Sequence, residues 1–317
     1  MTTKENNLPI LTIMIGLSGS GKSTNAKQVA EKENAVVISS DEIREKLTGN
    51  VENQDKNTEV FKLFHKRIKE ALLSGKNVIA DATNLTMKSR RTILQNIYKV
   101  PCMKKAVVIA KDYDECLEDN KNREHPVPEY ILKGQLERFE IPFFEEGFNE
   151  IKIINCSKNL DKLDFDFAKN VNRMHNFDQQ NPHHNKTLGD HCVNTALTFG
   201  DKGYAMNFNL IYAAKYHDIG KLFTQTFDKE GVAHYYHHEN VGAYYILTRL
   251  TYEYLKSDII LDTLFVINYH MKPFSWQEEK THARYKRIFG EEKYRWLMDF
   301  HECDKMRENE LEEEQER

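Results

Sequence analysis

Apolar residues fall into short runs in the first half of the chain and at helical spacing in the second. ILTIMIGL (10–17) is a continuous apolar run of strand length, which predicts a buried β-strand. A Gly/Ser loop and a helical stretch, KSTNAKQVAEKE, come after it. AVVISSD (35–41) and NVIADATN (77–84) are two further apolar runs, each carrying an Asp near its end, and KKAVVIAK (104–111) is a fourth. Between them FKLFHKRIKEALLSGK has helical spacing and a glycine stop. Strands alternating with helices predict a parallel sheet flanked by helices, with ligand groups at the carboxyl ends of the strands, where Asp41 and Asp81 fall.

From about residue 155 the pattern changes. INCSKNLDKLDFD reads as a last strand and exit, and MHNFDQQNPHHNKT (174–187) is polar and turn-rich. Beyond residue 187 the spacing is helical almost throughout. The expected organisation is therefore an α/β domain over 1–157, a linker or domain entrance over 158–186, and a helical domain over 187–317 ending in an acidic tail.

Charge adds little. Residues 1–155 carry 24 Lys+Arg against 23 Asp+Glu, and residues 156–317 carry 21 against 26. Neither half is basic enough to predict nucleic-acid binding from bulk charge, so such binding needs a local groove. The five cysteines (Cys102, Cys116, Cys156, Cys192 and Cys303) form no CxxC pair, which predicts a reducing, cytoplasmic setting without a disulfide framework. The N-terminal apolar run is too short for a membrane span, and no signal peptide is expected.

GLSGSGKS fits the phosphate-loop pattern GxxxxGK[ST] with Gly16, Gly21, Lys22 and Ser23. Ser18, Gly19, Ser20 and Thr24 complete the stretch. Glycines let backbone N–H groups turn toward phosphates, Lys22 reaches the β/γ-phosphates, and the Ser23 hydroxyl suits Mg²⁺. The loop alone does not choose between kinase, ATPase and GTPase; with the residues that follow, ATP with Mg²⁺ is the expected cofactor. In VISSDEIREKL, Asp41 at the second strand's tip is a candidate base for an acceptor hydroxyl, and Arg44 a candidate anion contact. The alternatives are a helix N-cap for Asp41 and a surface charge for Arg44. NREHPVPEYILKGQLERF (122–139) suits a lid in which Arg123 stabilises the transferring phosphoryl group, or an exposed helix-loop element.

Eleven of the 13 histidines lie between 175 and 301. The ordered series His191, His217–Asp218, His238, His270 and Asp304 across a helical domain predicts a divalent-metal site, because one bundle core can gather these side chains. His237 is an alternative to its neighbour His238.

Two resemblances sharpen these readings. GLSGSGKST, SSDEIR, DATN and NKNREHPVPE resemble the polynucleotide 5′-kinase branch of P-loop kinases, the bacteriophage-type end-healing kinases, over residues 10–150. The resemblance implies Asp41 as general base and Arg44 as the contact to the phosphate beside the acceptor hydroxyl. That family's lid carries two arginines four apart; here Asp119 takes the first position and Arg123 the second, with Lys121 between them. HDIGK and the series around it resemble the HD-domain phosphohydrolase superfamily over about 180–305. This implies an all-α HD bundle in which His191, His217, Asp218 and Asp304 hold a first metal. His238 and His270 complete a second, Asp218 lies between the ions, and Lys221 meets substrate phosphate. Mn²⁺, Fe²⁺, Ni²⁺ and Co²⁺ all suit such ligands. His184 is either an accessory contact or part of a linker turn.

Together the two resemblances imply an enzyme that heals nucleic-acid ends. It phosphorylates a 5′-hydroxyl and hydrolyses a 2′,3′-cyclic or 2′/3′-phosphate, on RNA or DNA ends that a separate ligase then joins. Two alternatives stay open: a nucleoside or small-molecule kinase fused to a nucleotidase, and a non-catalytic nucleotide-gated sensor.

Overall fold

The computed structural model describes residues 8–180, 186–252 and 256–315. It divides into two compact units, Met1–Gln135 with Pro142–Lys158, and Leu136–Ile141 with Asn159–Arg317.

The first unit is built on a five-stranded parallel sheet in the order β2-β3-β1-β4-β5. The strands are β1 (Ile10–Ile15), β2 (Ala35–Ser39), β3 (Asn77–Asp81), β4 (Met103–Ala110) and β5 (Glu150–Asn155). β1 is central, with Ile13 opposite Ala80 on β3 and Ala106 on β4. Its Leu11, Ile13, Met14 and Ile15 are fully buried, as expected for a strand covered on both faces. Met14, Ile79, Val107 and Ile109 pack with Ala26 and Ala30 of helix α1 (Lys22–Glu33) in one cluster. Helix α2 (Ser40–Thr48) follows β2 directly, and α3 (Asn57–Leu73) turns Val60, Phe64, Ile68 and Leu72 into the core. Burying each of these side chains contributes about 1.5–3 kcal/mol. The glycine stop of α3 is a Schellman motif: Gly75 (φ 77°) donates to Leu72 O and Lys76 to Ala71 O. Helices α4 (Met87–Asn96), α5 (Tyr113–Lys121) and α6 (Glu129–Leu136) complete the set.

The second unit is mostly helical. Its elements are α7 (Leu160–His175), α8 (Leu188–Phe199), α9 (Phe208–Tyr216), α10 (Lys221–Thr224), α11 (His238–Tyr252), α12 (Ser257–Tyr269) and α13 (Glu279–Gln315). α13 is broken at Gly290 (φ 78°), and two residues on each strand pair in a small hairpin, Thr226–Phe227 with Ala233–His234. α12 is the most enclosed helix, with every residue from Thr263 to Tyr269 buried.

Two features depart from the expected boundaries. The segment expected as a linker contains α7, which buries Leu163 and Met174; its apolar residues sit on one helical face among charges. The strap 136–141 also belongs to this unit. Asn268 accepts from Ile141 N–H at 2.7 Å and donates to Phe139 O at 2.9 Å, while the Phe139 ring packs edge-on to Tyr244. Among the described residues no helix is long and apolar enough to cross a membrane. All five cysteines are free.

Candidate functional site

In the first unit the loop between β1 and α1 is shaped by close approach. Gly19 (φ 79°) lies so near α5 that an added Cβ would stand 2.2 Å from Cys116 O, and Gly21 (φ 87°) begins α1. The Ser18 N–H donates to Gln135 Oε1 at 2.8 Å, and Gln135 Nε2 donates to Ser18 Oγ at 3.0 Å. Gly16 donates to Thr83 O. Lys22 opens α1 with its Nζ 3.6 Å from Asp81 Oδ1, at the end of β3. Ser23 and Thr24 follow in the first turn of that helix. Ser20 Oγ and Asp81 Oδ1 are buried without a hydrogen-bond partner, so this loop holds polar groups that a phosphate and its cation can satisfy. Asn84 (φ 47°) fixes the turn after β3, donating to Met14 O at 2.9 Å.

Asp41 and Arg44 meet at 3.1 Å. β2 ends at Ser39, whose Oγ caps α2, so Asp41 lies in the first helical turn rather than at the strand tip, and it is not the N-cap. Arg44 is no surface charge: it is 6% exposed, donates to Asn57 Oδ1 at 2.9 Å, and has a buried Nε without a partner. An arginine so held can meet a further anion through its remaining N–H.

The stretch expected to form a lid is tied down through Asp119. Asp119 pairs with the buried Lys111 just past the end of β4 and with Lys158 at 2.8 Å. Hydrogen bonds from Lys111 and then Lys158 hold the Asp119 carboxyl below the usual carboxylate range. Lys111 also donates to Gly19 O at 3.2 Å, which ties the phosphate loop to this pair. Arg123 is exposed beyond α5, in a loop that Asn120 closes through Val127. Among the described residues no hydrogen bond or ion pair joins the Arg123 guanidinium to the phosphate loop. Sequence reading missed Lys111 and Asn57, single polar residues outside any motif, and Gln135, which lies within the 122–139 stretch but was given no role. Lys111 carried one usable signal, a charge at the carboxyl end of an apolar strand.

In the second unit five elements converge on Asp218. His191 comes from α8, His217 ends α9, His238 begins α11, His270 ends α12 and Asp304 lies on α13. Asp218 Oδ2 stands 3.5 Å from His191 Nε2 and 3.4 Å from His217 Nε2. Its Oδ1 stands 2.9 Å from His238 Nε2 and 3.5 Å from His270 Nε2. The residues form two ligand-spaced groups, His191–His217–Asp218 and Asp218–His238–His270, which share one carboxylate. Asp304 Oδ1 adds to the first, 3.1 Å from His191 Nε2 and 3.3 Å from His217 Nε2.

The ring nitrogens are arranged for ligation. His217, His238 and His270 each place Nδ1 at 2.8–2.9 Å from the carbonyl three residues earlier (Ala214, Tyr235 and Ile267). Nδ1 donating to a carbonyl leaves an Nε2 lone pair aimed into the cluster. Asp304 Oδ1 is buried without a hydrogen-bond partner and faces His217 Nε2 and also His191 Nε2, a grouping of ligand atoms that a cation fits. Burial opposes a charge on Asp218, yet Lys221 at 2.7 Å holds its carboxyl well below the usual range. Burial, chiefly, pushes His270 down. Lys221 is also buried and donates to Gln179 Oε1 at 2.9 Å.

Gly220 makes this convergence possible. A Cβ there would stand 2.0 Å from His238 O, so only glycine lets the Asp218 turn lie against α11. His237 is exposed with φ 64°, leaving His238 as the buried member of that pair. His184 lies outside the described residues.

Comparison with known proteins bears on the first unit. A family model described as an AAA domain matches residues 11–142, and comparison with curated proteins gives no match. A chain from the Pnkp1/Rnl/Hen1 RNA repair complex is similar with a TM-score of 0.37 and 22% identity, over 42% of this chain and 45% of that one. This chain thus spans about half the length of that relative. A putative kinase from Chloroflexus aurantiacus J-10-fl is similar with a TM-score of 0.41 and 17% identity, over 47% and 86% of the two chains. A gluconokinase from Sinorhizobium meliloti 1021 is similar with a TM-score of 0.35 and 21% identity, over 50% and 88%. The matched region carries the five-stranded parallel sheet and the glycine loop described above, as a nucleotide-binding P-loop domain does.

Proposed function

We propose that the chain is a bifunctional end-healing enzyme, a polynucleotide 5′-hydroxyl kinase joined to a metal-dependent HD phosphoesterase. The observation that carries the reading is Asp218, which offers one carboxylate oxygen to each of two histidine pairs in a chain that also holds a phosphate loop with an Asp41–Arg44 pair.

In the kinase half the loop N–H groups and Lys22 would hold the ATP phosphates, and Ser23 and Asp81 would hold the accompanying Mg²⁺, which neutralises phosphate charge. Asp41 accepts the proton of the acceptor hydroxyl as its oxygen bonds to the γ-phosphorus. The bond to the β–γ bridging oxygen breaks and ADP leaves. Arg44 holds the phosphate next to that hydroxyl, which a polynucleotide end carries and a free nucleoside lacks. Asp119 in the lid leaves Arg123 as the cation for the transferring group, with Lys111 fixing the loop from beneath.

In the second half His191, His217, Asp218 and Asp304 would hold one divalent ion (Mn²⁺, Fe²⁺, Ni²⁺ or Co²⁺), and Asp218, His238 and His270 a second. Metal bound there supplies Lewis acidity for phosphoester hydrolysis. Lys221 keeps Asp218 ionised and offers a cation to the substrate phosphate. The two activities act on opposite termini of one break, and a separate ligase would consume the 5′-phosphate and 3′-hydroxyl they leave.

The test is transfer from γ-labelled ATP with Mg²⁺ to 5′-hydroxyl RNA or DNA oligonucleotides, beside free nucleosides. Label on the oligonucleotide should fall by about 10²–10⁴-fold in Asp41→Ala and vanish in Lys22→Ala, while hydrolysis of a 2′,3′-cyclic phosphate end persists. Label confined to nucleosides would replace this reading with one of nucleotide metabolism.

A further inference from the structure

A cleft of about 540 Å³ opens on the first unit, lined by Asn57, Thr58, Phe61, Lys62 and His65 of α3 and by Asn96 at the end of α4. It lies beside the row that α3 sends to the core. Val60, Phe64, Ile68 and Leu72 repeat every fourth residue and are buried, whereas Asn57, Phe61 and His65 repeat at the same interval one position later and stay partly or fully exposed. The Phe61 and His65 rings are 6.3 Å apart and tilted by 40°, and Phe61 is held edge-on to the buried Phe64 at 6.0 Å. Two aromatic rings with one anchored position are costly to leave half in water, and neither completes the core.

The cleft is joined to the candidate phosphoryl-acceptor pair. Asp41 binds Arg44, Arg44 donates to Asn57 Oδ1 at 2.9 Å, and Asn57 forms the near wall. An acceptor that ended at the ribose would stop at Asp41. One that continued past the phosphate on Arg44 would next meet Asn57 and the rings behind it. We propose that this cleft is a nucleobase subsite that takes the base of the second nucleotide of the acceptor strand, with Phe61 and His65 as its stacking surface. Asn57, whose Oδ1 takes Arg44, offers its amide N–H groups, and Asn96, whose Nδ2 donates to Thr92 O at 2.9 Å, offers its Oδ1, so the cleft presents both donors and an acceptor to a base edge. Lys62, exposed at the cleft, suits the strand's next phosphate. The volume falls in the range of small-ligand sites and accommodates one base with its ribose.

The proposal rests on the reading that the acceptor is a polynucleotide end, and the experiment separates the two. Label transfer is compared for a 5′-hydroxyl oligonucleotide and the same strand abasic at its second position, with wild-type protein and with Phe61→Ala. Base–aromatic stacking leads to a loss of about tenfold in kcat/KM for the abasic strand with wild-type protein. The expected loss shrinks to less than about twofold in Phe61→Ala, because the partner ring is already gone. Equal rates on both strands with wild-type protein overturn the subsite while leaving the polynucleotide reading intact, and this arm needs no variant to fold. Failure to label either strand, with nucleosides labelled, removes the parent reading and the subsite with it.

Discussion

His238→Ala and His191→Ala should each remove one metal ion and spare the other. His238 lies 2.9 Å from Asp218 Oδ1 and His191 3.5 Å from Oδ2, and each belongs to one of the two ligand groups, so each substitution breaks one group and leaves the second complete. Asp218→Asn touches both groups and should remove both ions; it also leaves the buried Lys221 ammonium without its carboxylate, so content rather than stability is its readout. An ion at 100 times its dissociation constant stabilises the fold by about 2.7 kcal/mol. A unit of this size shifts its melting temperature by about 2–4 °C per kcal/mol. Each ion should therefore raise the second unit's transition by roughly 5–11 °C, and wild-type protein should gain about twice what either histidine variant gains. Elemental analysis after dialysis against Mn²⁺, followed by calorimetry, measures both quantities. Wild-type protein that holds no ion and melts at the same temperature with and without Mn²⁺ would refute the reasoning. So would His238→Ala and His191→Ala both retaining two ions.

β1, β3 and β4 were readable because parallel strands covered on both faces must be largely apolar, as β1 is, whereas β5 (Glu150–Asn155), with Glu150 and Lys152, lies mostly ahead of the stretch expected to hold the last strand. The phosphate loop was readable for a different reason: Gly19 is required by its close approach to Cys116 O, and Gly21 by its positive φ of 87°. The same logic makes HDIGK legible, since Gly220 is the residue that admits α11. Other features leave weaker marks. α7 alternates charge with Leu163, Phe167 and Met174 and so reads as a polar exit. The strap 136–141 pairs with Asn240 and Asn268 more than 100 residues away, and no local pattern encodes such a contact. Arg44 shows the limit most directly: in sequence it is one charge on a charged helix, and its burial is set by Asn57 from the next helix. Asp119 was legible as a departure from the kinase family, but its partners Lys111 and Lys158 were not, because they come from beyond the ends of two neighbouring strands.

Glycine substitutions should separate conformational strain from close approach. Gly75→Ala has open space around it and should cost about 1–2 kcal/mol for its positive φ alone, whereas Gly19→Ala adds a clash with Cys116 O and should cost about 2–5 kcal/mol, read from denaturant midpoints. The Lys111–Asp119 pair gives a sharper test. Lys111→Met removes the hydrogen bond to Gly19 O, and loss of one such charged contact, worth about 1.5–3 kcal/mol, should weaken ATP binding by about tenfold or more in calorimetric titration. Asp119→Arg restores the residue the resembled kinases carry, yet here it would face Lys111 as a like charge, with the loop's tether as the casualty. That single variant should therefore bind ATP worse than wild type. Combined with Lys111→Met it should bind ATP no better than Lys111→Met alone, since both lack the hydrogen bond to Gly19 O. Improvement in the Asp119→Arg single variant would mean that Lys111 does not hold the loop.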